Sequence, residues 1–137
     1  MTVIKNSWIA LSAVFVLLTA CTQPSMPDQT DGAAFFADNC VLCHGPRGKG
    51  DGAFAKSFKT PVPDLTVLSR QNGGTFPAAK ALTYIYGDPE QSHLARVMPQ
   101  FGMVMADDLV PLEIDGVLTP TPRALAALLA YMESIQD

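Results

Sequence analysis

The sequence predicts an all-α domain whose long loops surround a component that the polypeptide does not supply. Three segments carry apolar residues at helical spacing, and no segment shows a convincing strand alternation. The chain between these segments is long and rich in glycine and proline. Because three helices with so much loop leave the interior short of apolar side chains, another group must complete the core.

The first helix is predicted from about Asp31 to Cys43. Asp31 suits the N-cap position, and Gly45-Pro46 ends the segment. The apolar residues of this helix are Ala33, Phe35, Phe36 and Ala37. Residues 45–63 are predicted to be a loop, because glycines and prolines recur throughout them.

Two more helices are predicted further along the chain. One runs from about Pro77 to Tyr86, with the proline in its first turn and a glycine at its end. The other opens at Thr121-Pro122, and its apolar residues are Leu125, Leu128, Leu129, Met132 and Ile135. Residues Leu109 to Gly116 are predicted to be an ordered loop between these two helices.

The segment Cys40-Val41-Leu42-Cys43-His44 has the spacing of a c-type haem attachment site. Two thiols at this spacing bond to the two vinyl groups of one porphyrin, and the adjoining histidine ligates the iron. Other uses of such a pair are half a zinc site, a redox dithiol or a disulfide. Zinc needs four ligands, and Cys21 and His93 are distant in sequence. A redox dithiol needs a βαβ context, which is lacking here. The motif therefore predicts one covalently attached haem c with its iron.

The N-terminal residues predict an exported protein. Lys5 gives a positive start, and Trp8 to Leu18 is apolar apart from one serine. Leu18-Thr19-Ala20-Cys21 resembles the bacterial lipobox, so Cys21 is the expected lipidation site. An ordinary cleaved signal and an uncut anchor are the alternatives.

The predicted organisation is a lipoprotein signal peptide at 1–20, a flexible tether at 21–30 and one folded domain at 31–137. The tether is assigned from its prolines and polar residues. The expected location is the bacterial periplasm, with the protein anchored to a membrane as a lipoprotein.

The charge of the chain excludes a typical nucleic-acid-binding protein. Nine Lys and Arg residues face thirteen Asp and Glu residues, for a net charge of −4, whereas nucleic-acid binding needs a basic stripe. The charges are unevenly placed along the chain, which can steer docking or be ordinary solvated surface. The basic group is Arg47, Lys49, Lys56 and Lys59, and the acidic group is Asp107, Asp108, Glu113 and Asp115.

From Gly32 to Ile135 the chain resembles the bacterial class I cytochromes c. The resemblance rests on Gly32 and Phe36 ahead of the haem motif, on the motif itself, and on Leu128 and Tyr131 near the end of the domain. It implies a fold in which the first and last helices cross and a haem fills the core. It also implies that a loop carbonyl from Pro61 or Pro63 accepts a hydrogen bond from the histidine below the iron.

The resemblance further implies that a methionine completes the iron coordination. Met98-Pro99-Gln100-Phe101-Gly102 is similar to the family's Met-Pro-x-Phe-Gly pattern. A proline restricts the preceding residue to extended backbone, which presents Met98 from a stiff loop. Met103, Met105 and His93 are the alternative ligands, and an open site is the remaining one.

The predicted function is electron transfer rather than catalysis. A mono-haem cytochrome with both axial positions filled carries single electrons between membrane-associated redox partners, as a monomer or a complex subunit. One alternative is a labile or open sixth site that binds a small ligand or peroxide. The others are a fixed subunit of a dehydrogenase or oxidase, and a haem-free lipoprotein that carries copper.

Overall fold

A computed structural model describes residues 25–87 and 98–137. Its elements within these ranges are α1 (Gln29–Asn39), α2 (Val41–His44), α3 (Leu68–Gln71), α4 (Ala78–Tyr86), β1 (Leu109–Ile114), β2 (Val117–Pro122) and α5 (Arg123–Ser134). Short 3₁₀ turns lie at 55–57, 65–67 and 103–105. None of the helices in the described ranges has the length and apolar content of a membrane span.

Helix α1 begins two residues earlier than the sequence predicts. Asp28 is its N-cap, and the Asp28 side chain accepts hydrogen bonds from the backbone N–H groups of Thr30 and Asp31. The Asp31 side chain in turn accepts from the Asp28 N–H, which completes a capping box. The predicted role of Asp31 as N-cap is therefore wrong, and residues 29–30 of the predicted tether are helical.

The predicted first helix is also divided. Helix α1 ends at Asn39, and α2 starts at Val41 after Cys40, which has φ −118° and ψ −26°. The Cys40 N–H still donates to the carbonyl of Phe36 at 2.9 Å. The break therefore sets α2 apart from α1, and this short helix carries the end of the haem motif.

Helices α1 and α5 pack against each other through the residues that the sequence singles out. Gly32 is buried, and a Cβ at this position would overlap the backbone carbonyl oxygen of Ala127. The rings of Phe36 and Tyr131 lie 5.2 Å apart between centroids, at 50°. Only a glycine permits so close an approach of the two backbones, and the predicted helix pair is confirmed.

The apolar core lies between α1, α4 and α5. Its most deeply buried large side chains include Phe36, Leu125 and Leu128, each 2 % exposed or less. Helix α4 contributes Ala81 and Ile85. Helix α4 begins at Ala78 with Pro77 as its N-cap residue and ends before Gly87, whose φ is +97°, so the predicted middle helix is confirmed.

A β-hairpin corrects the all-α prediction. Strands β1 and β2 pair antiparallel, from Leu109 opposite Pro122 to Ile114 opposite Val117. Val110 and Ile114 are buried at 4 % and 7 % exposure, so one face of the hairpin packs inward. The predicted loop at 109–116 is thus mostly a strand, and the fold is mainly helical with one small sheet.

Candidate functional site

The haem motif lies where α1 gives way to α2. Cys40 is in the apolar core at 8 % exposure, Cys43 is half-buried, and both have free thiols. His44 ends α2 and is also only 8 % exposed. Leu42, between the cysteines, is exposed at 59 %. The short helix therefore directs the three chemically active side chains away from the surface that Leu42 occupies.

The loop after the motif folds back onto it. The N–H groups of Gly50, Gly52 and Phe54 donate to the carbonyls of His44, Cys43 and Leu42, at 2.9, 3.2 and 2.8 Å. A Cβ at Gly52 would overlap the carbonyl of Leu42. These bonds satisfy the carbonyls at the end of α2 and hold the motif in a rigid frame.

His44 is buried as a neutral imidazole. Burial lowers the pKa of His44 because the charged ring loses solvation, and the Pro63 carbonyl acts in the opposite direction. The buried Nδ1 of His44 has no hydrogen-bond partner among the described residues, and the Pro63 backbone lies close to the ring. Neutral imidazole is the form that binds a metal. Pro61 and Pro63 are both exposed, and of the two it is Pro63 that acts on the pKa of His44.

The Cys40 thiol is poorly suited to thiolate chemistry. Burial and, to a smaller extent, the nearby Cys43 raise the pKa of Cys40 to about 11. A thiol with such a pKa is protonated at neutral pH, whereas dithiol exchange needs the thiolate. Two free thiols beside a neutral buried imidazole fit covalent haem attachment.

The segment 98–102 is fixed to the end of α4. The N–H groups of Phe101 and Gly102 donate to the carbonyls of Ile85 and Tyr86, at 3.1 and 2.9 Å. The Phe101 ring makes an edge contact with Phe35 of α1, with centroids 5.8 Å apart. Gly102 lies so close to the Tyr86 ring that a Cβ would overlap it. The segment is therefore held from two helices, as a rigid ligand loop requires.

Met98 is half-buried and packs against the same apolar cluster that contains Cys40. Met105 also packs against that cluster. The side chain of Met103, and all of His93 and Cys21, lie outside the described residues. The structure thus places Cys40 and Met98 at one apolar cluster, and it leaves Met105 as a second methionine beside that cluster.

Sequence reasoning missed a set of polar contacts behind the motif. Lys49 contacts Thr66 and Asp137, and Gln136 contacts the backbone of residues 65–69. No local pattern could reveal them, because the partners lie 17 to 88 positions apart.

The fold and the buried Cys-x-x-Cys-His segment define a protein that holds a haem covalently. The Cytochrome c family model matches residues 29–136. The chain belongs to the cytochrome c family, as a class I cytochrome c that binds haem c with its iron and serves as an electron carrier. Comparison with curated proteins and with solved structures gives no significant match.

Proposed function

We propose that this cytochrome carries single electrons between membrane-associated redox partners, with His44 and Met98 as the axial ligands of its iron. The observation that carries the proposal is the burial of His44 at the end of the haem motif, with an Nδ1 that has no hydrogen-bond partner within the described part of the chain and the Pro63 backbone close to its ring. A histidine that ligates iron through Nε2 needs an acceptor for its Nδ1–H. Pro63 therefore supports His44 in this role, and it is favoured over Pro61.

Each residue of the site has a defined task. Cys40 and Cys43 would hold the porphyrin by thioether bonds, and His44 would ligate the iron from one side. The bound iron supplies a one-electron ferric–ferrous couple. The Pro63 carbonyl fixes the ring orientation of His44 and increases its basicity.

Met98 is proposed to close the other side of the iron. Its loop is anchored through Phe101 and Gly102, so the side chain comes from a stiff support. A thioether ligand favours ferrous iron and raises the reduction potential. A filled sixth position also denies access to peroxide and other small ligands, which supports electron transfer rather than catalysis.

The partners are proposed to be redox proteins that dock transiently near the site. Arg47, Lys49 and Lys56 are the candidate basic rim. The Lys49 ammonium already lies 2.5 Å from the Asp137 carboxylate, so Arg47 and Lys56 are the better candidates. Arg47 lies 3.9 Å from Asp51, and both side chains are exposed, so that pair is weak and Arg47 remains available.

The location is proposed to be the bacterial periplasm. Lipid on Cys21 would anchor the protein, and a tether ending near Asp28 would keep the domain close to membrane partners. Tethering raises the effective concentration of the domain at those partners.

A ligand-binding measurement tests the axial assignment. Carbon monoxide is added to the reduced holoprotein, to the Met98→Ala variant and to the Met105→Ala control. We expect unchanged visible spectra for the wild type and Met105→Ala, and a clear shift for Met98→Ala. A shift in the wild type, or in Met105→Ala alone, would contradict the assignment and favour the ligand-binding alternative.

A further inference from the structure

Residues 136 and 137, which follow α5, form hydrogen bonds that hold residues 65–69, just after Pro63, in place. The Gln136 side chain donates from Nε2 to the carbonyls of Leu65 and Met132, each at 2.7 Å. Its Oε1 accepts from the Ser69 N–H at 2.8 Å. The Asp137 N–H donates to the Thr66 carbonyl at 2.8 Å. Three successive contacts therefore hold residues 65–69 against the end of α5.

Hydrogen bonds between side chains hold the same residues together. The Lys49 ammonium donates to the Asp137 carboxylate at 2.5 Å and to the Thr66 hydroxyl at 2.7 Å. That hydroxyl has one proton to give, and two carboxylates compete for it: Asp64 at 2.7 Å and Asp137 at 3.1 Å. Thr66 is 3 % exposed, so these charge-assisted bonds converge on a buried hydroxyl.

The same segment is tied to the loop behind His44. The Leu65 N–H donates to the Gly48 carbonyl at 2.7 Å, and the Gly50 N–H donates to the His44 carbonyl at 2.9 Å. A Cβ at Gly50 would overlap the Val62 carbonyl and lie 3.1 Å from the Pro63 carbonyl. Gly50 therefore lies between His44 and the Val62–Pro63 backbone.

We infer that Lys49, Thr66 and Asp137, with Gln136, are positioning residues for the proximal side of the iron. They connect residues 48–50, 64–69 and 136–137 into one lock. The lock holds the Pro63 backbone close to the His44 ring, from where its carbonyl can accept the Nδ1–H. Because the Pro63 carbonyl increases the basicity of the His44 imidazole, the lock stabilises ferric iron and lowers the reduction potential. This inference rests on the proposed ligation by His44.

Two variants test the inference in the holoprotein. Lys49→Met keeps the aliphatic stem and removes the ammonium, and Asp137→Asn removes the charge with little change of shape. Both substitutions should loosen the position of the Pro63 carbonyl. At a fixed ambient potential, the ferrous-to-ferric ratio should then rise by about threefold, an effect within the free energy of one hydrogen bond. Potentiometric titration measures this shift. Lys80→Met, an equivalent change at an exposed lysine on α4, should leave it unchanged.

A second readout separates positioning from general stability. In the proton NMR spectrum, the Nδ1–H of His44 should exchange with solvent faster in Lys49→Met and Asp137→Asn than in the wild type and Lys80→Met. Unchanged exchange and unchanged potential in both lock variants would overturn the inference while leaving the ligand assignment intact. Absence of histidine ligation in the wild-type spectrum would overturn the ligand assignment itself, and the inference with it.

Discussion

At the scale of single residues, a few positions decide how the protein backbone reaches the site. Gly32 permits contact between α1 and α5, Gly52 permits the loop to fold onto the motif, and Gly50 permits close approach to the Val62–Pro63 backbone. The role of Gly32 was predictable, because its spacing to Phe36 and Cys40 resembles the family pattern. The roles of Gly50 and Gly52 depend on which carbonyls the loop meets, and this is a tertiary property.

Gly32→Ala tests the close helix contact. The added methyl would overlap the Ala127 carbonyl, which is helical backbone and cannot yield without moving α5. We expect the free energy of unfolding to fall by about 1–3 kcal/mol, as for other overpacked cores. Urea unfolding monitored by circular dichroism measures the change.

Ala37→Ser is the control for this substitution, because it also adds one heavy atom to α1 but at an exposed position. Its effect should stay within about 0.5 kcal/mol. Equal losses in the two variants would show that the Gly32 contact is not special.

At the scale of elements, the helices were predictable and the hairpin was not. Helical spacing identified α4 and α5 because each presents an apolar face to the core over several turns. In β1 the exposed Leu109 and Pro111 interrupt the apolar and polar alternation that identifies a strand. The sequence does contain one indication of the hairpin, the pair Asp115-Gly116, which is typical of a two-residue turn. In the structure both residues have positive φ, +52° and +80°.

Gly116→Ala tests this turn. No atom lies within 4 Å of the position of an added Cβ, so only the positive φ opposes the substitution. An L-residue in this region costs roughly 1–2 kcal/mol, and we expect a loss of unfolding free energy near the lower end of that range. Gly116→Asn should cost less, since asparagine tolerates positive φ. Thermal unfolding of the three proteins compares them, and an equal or larger loss for asparagine would contradict this account.

At the scale of the whole molecule, long-range polar contacts close the fold around the site. Asp137 lies 88 residues from Lys49 and 71 from Thr66. The sequence could not pair them, since each is an ordinary polar residue in its local context. The haem motif, in contrast, could be predicted from the sequence alone, because its chemistry depends on five consecutive residues.

The acid stability of the protein should reflect these contacts. The side-chain hydrogen bond from Thr66 is the main cause of the lowered pKa of Asp64, and that from Lys49 is the main cause for Asp137. Because both folded pKa values lie below the ordinary 3.8, the two groups stabilise the fold fully above that pH. The contribution is lost as the pH falls through 3.8 toward the folded values.

Urea unfolding from pH 7 down to acid should therefore show a smaller acid loss in Asp64→Asn than in the wild type. The control is Asp38→Asn, which changes an exposed carboxyl on α1 and should keep the wild-type profile. An Asp64→Asn profile parallel to the wild type would contradict the expected role of this carboxylate.

The most direct test of the central claim is a proton NMR spectrum of the reduced holoprotein with carbon-13-labelled methionine methyl groups. If Met98 ligates the iron, one methyl resonance will be displaced far upfield by the porphyrin ring current. It will disappear in Met98→Ala and persist in Met105→Ala. A spectrum with no displaced methyl resonance, or one that is lost only in Met105→Ala, would contradict ligation by Met98.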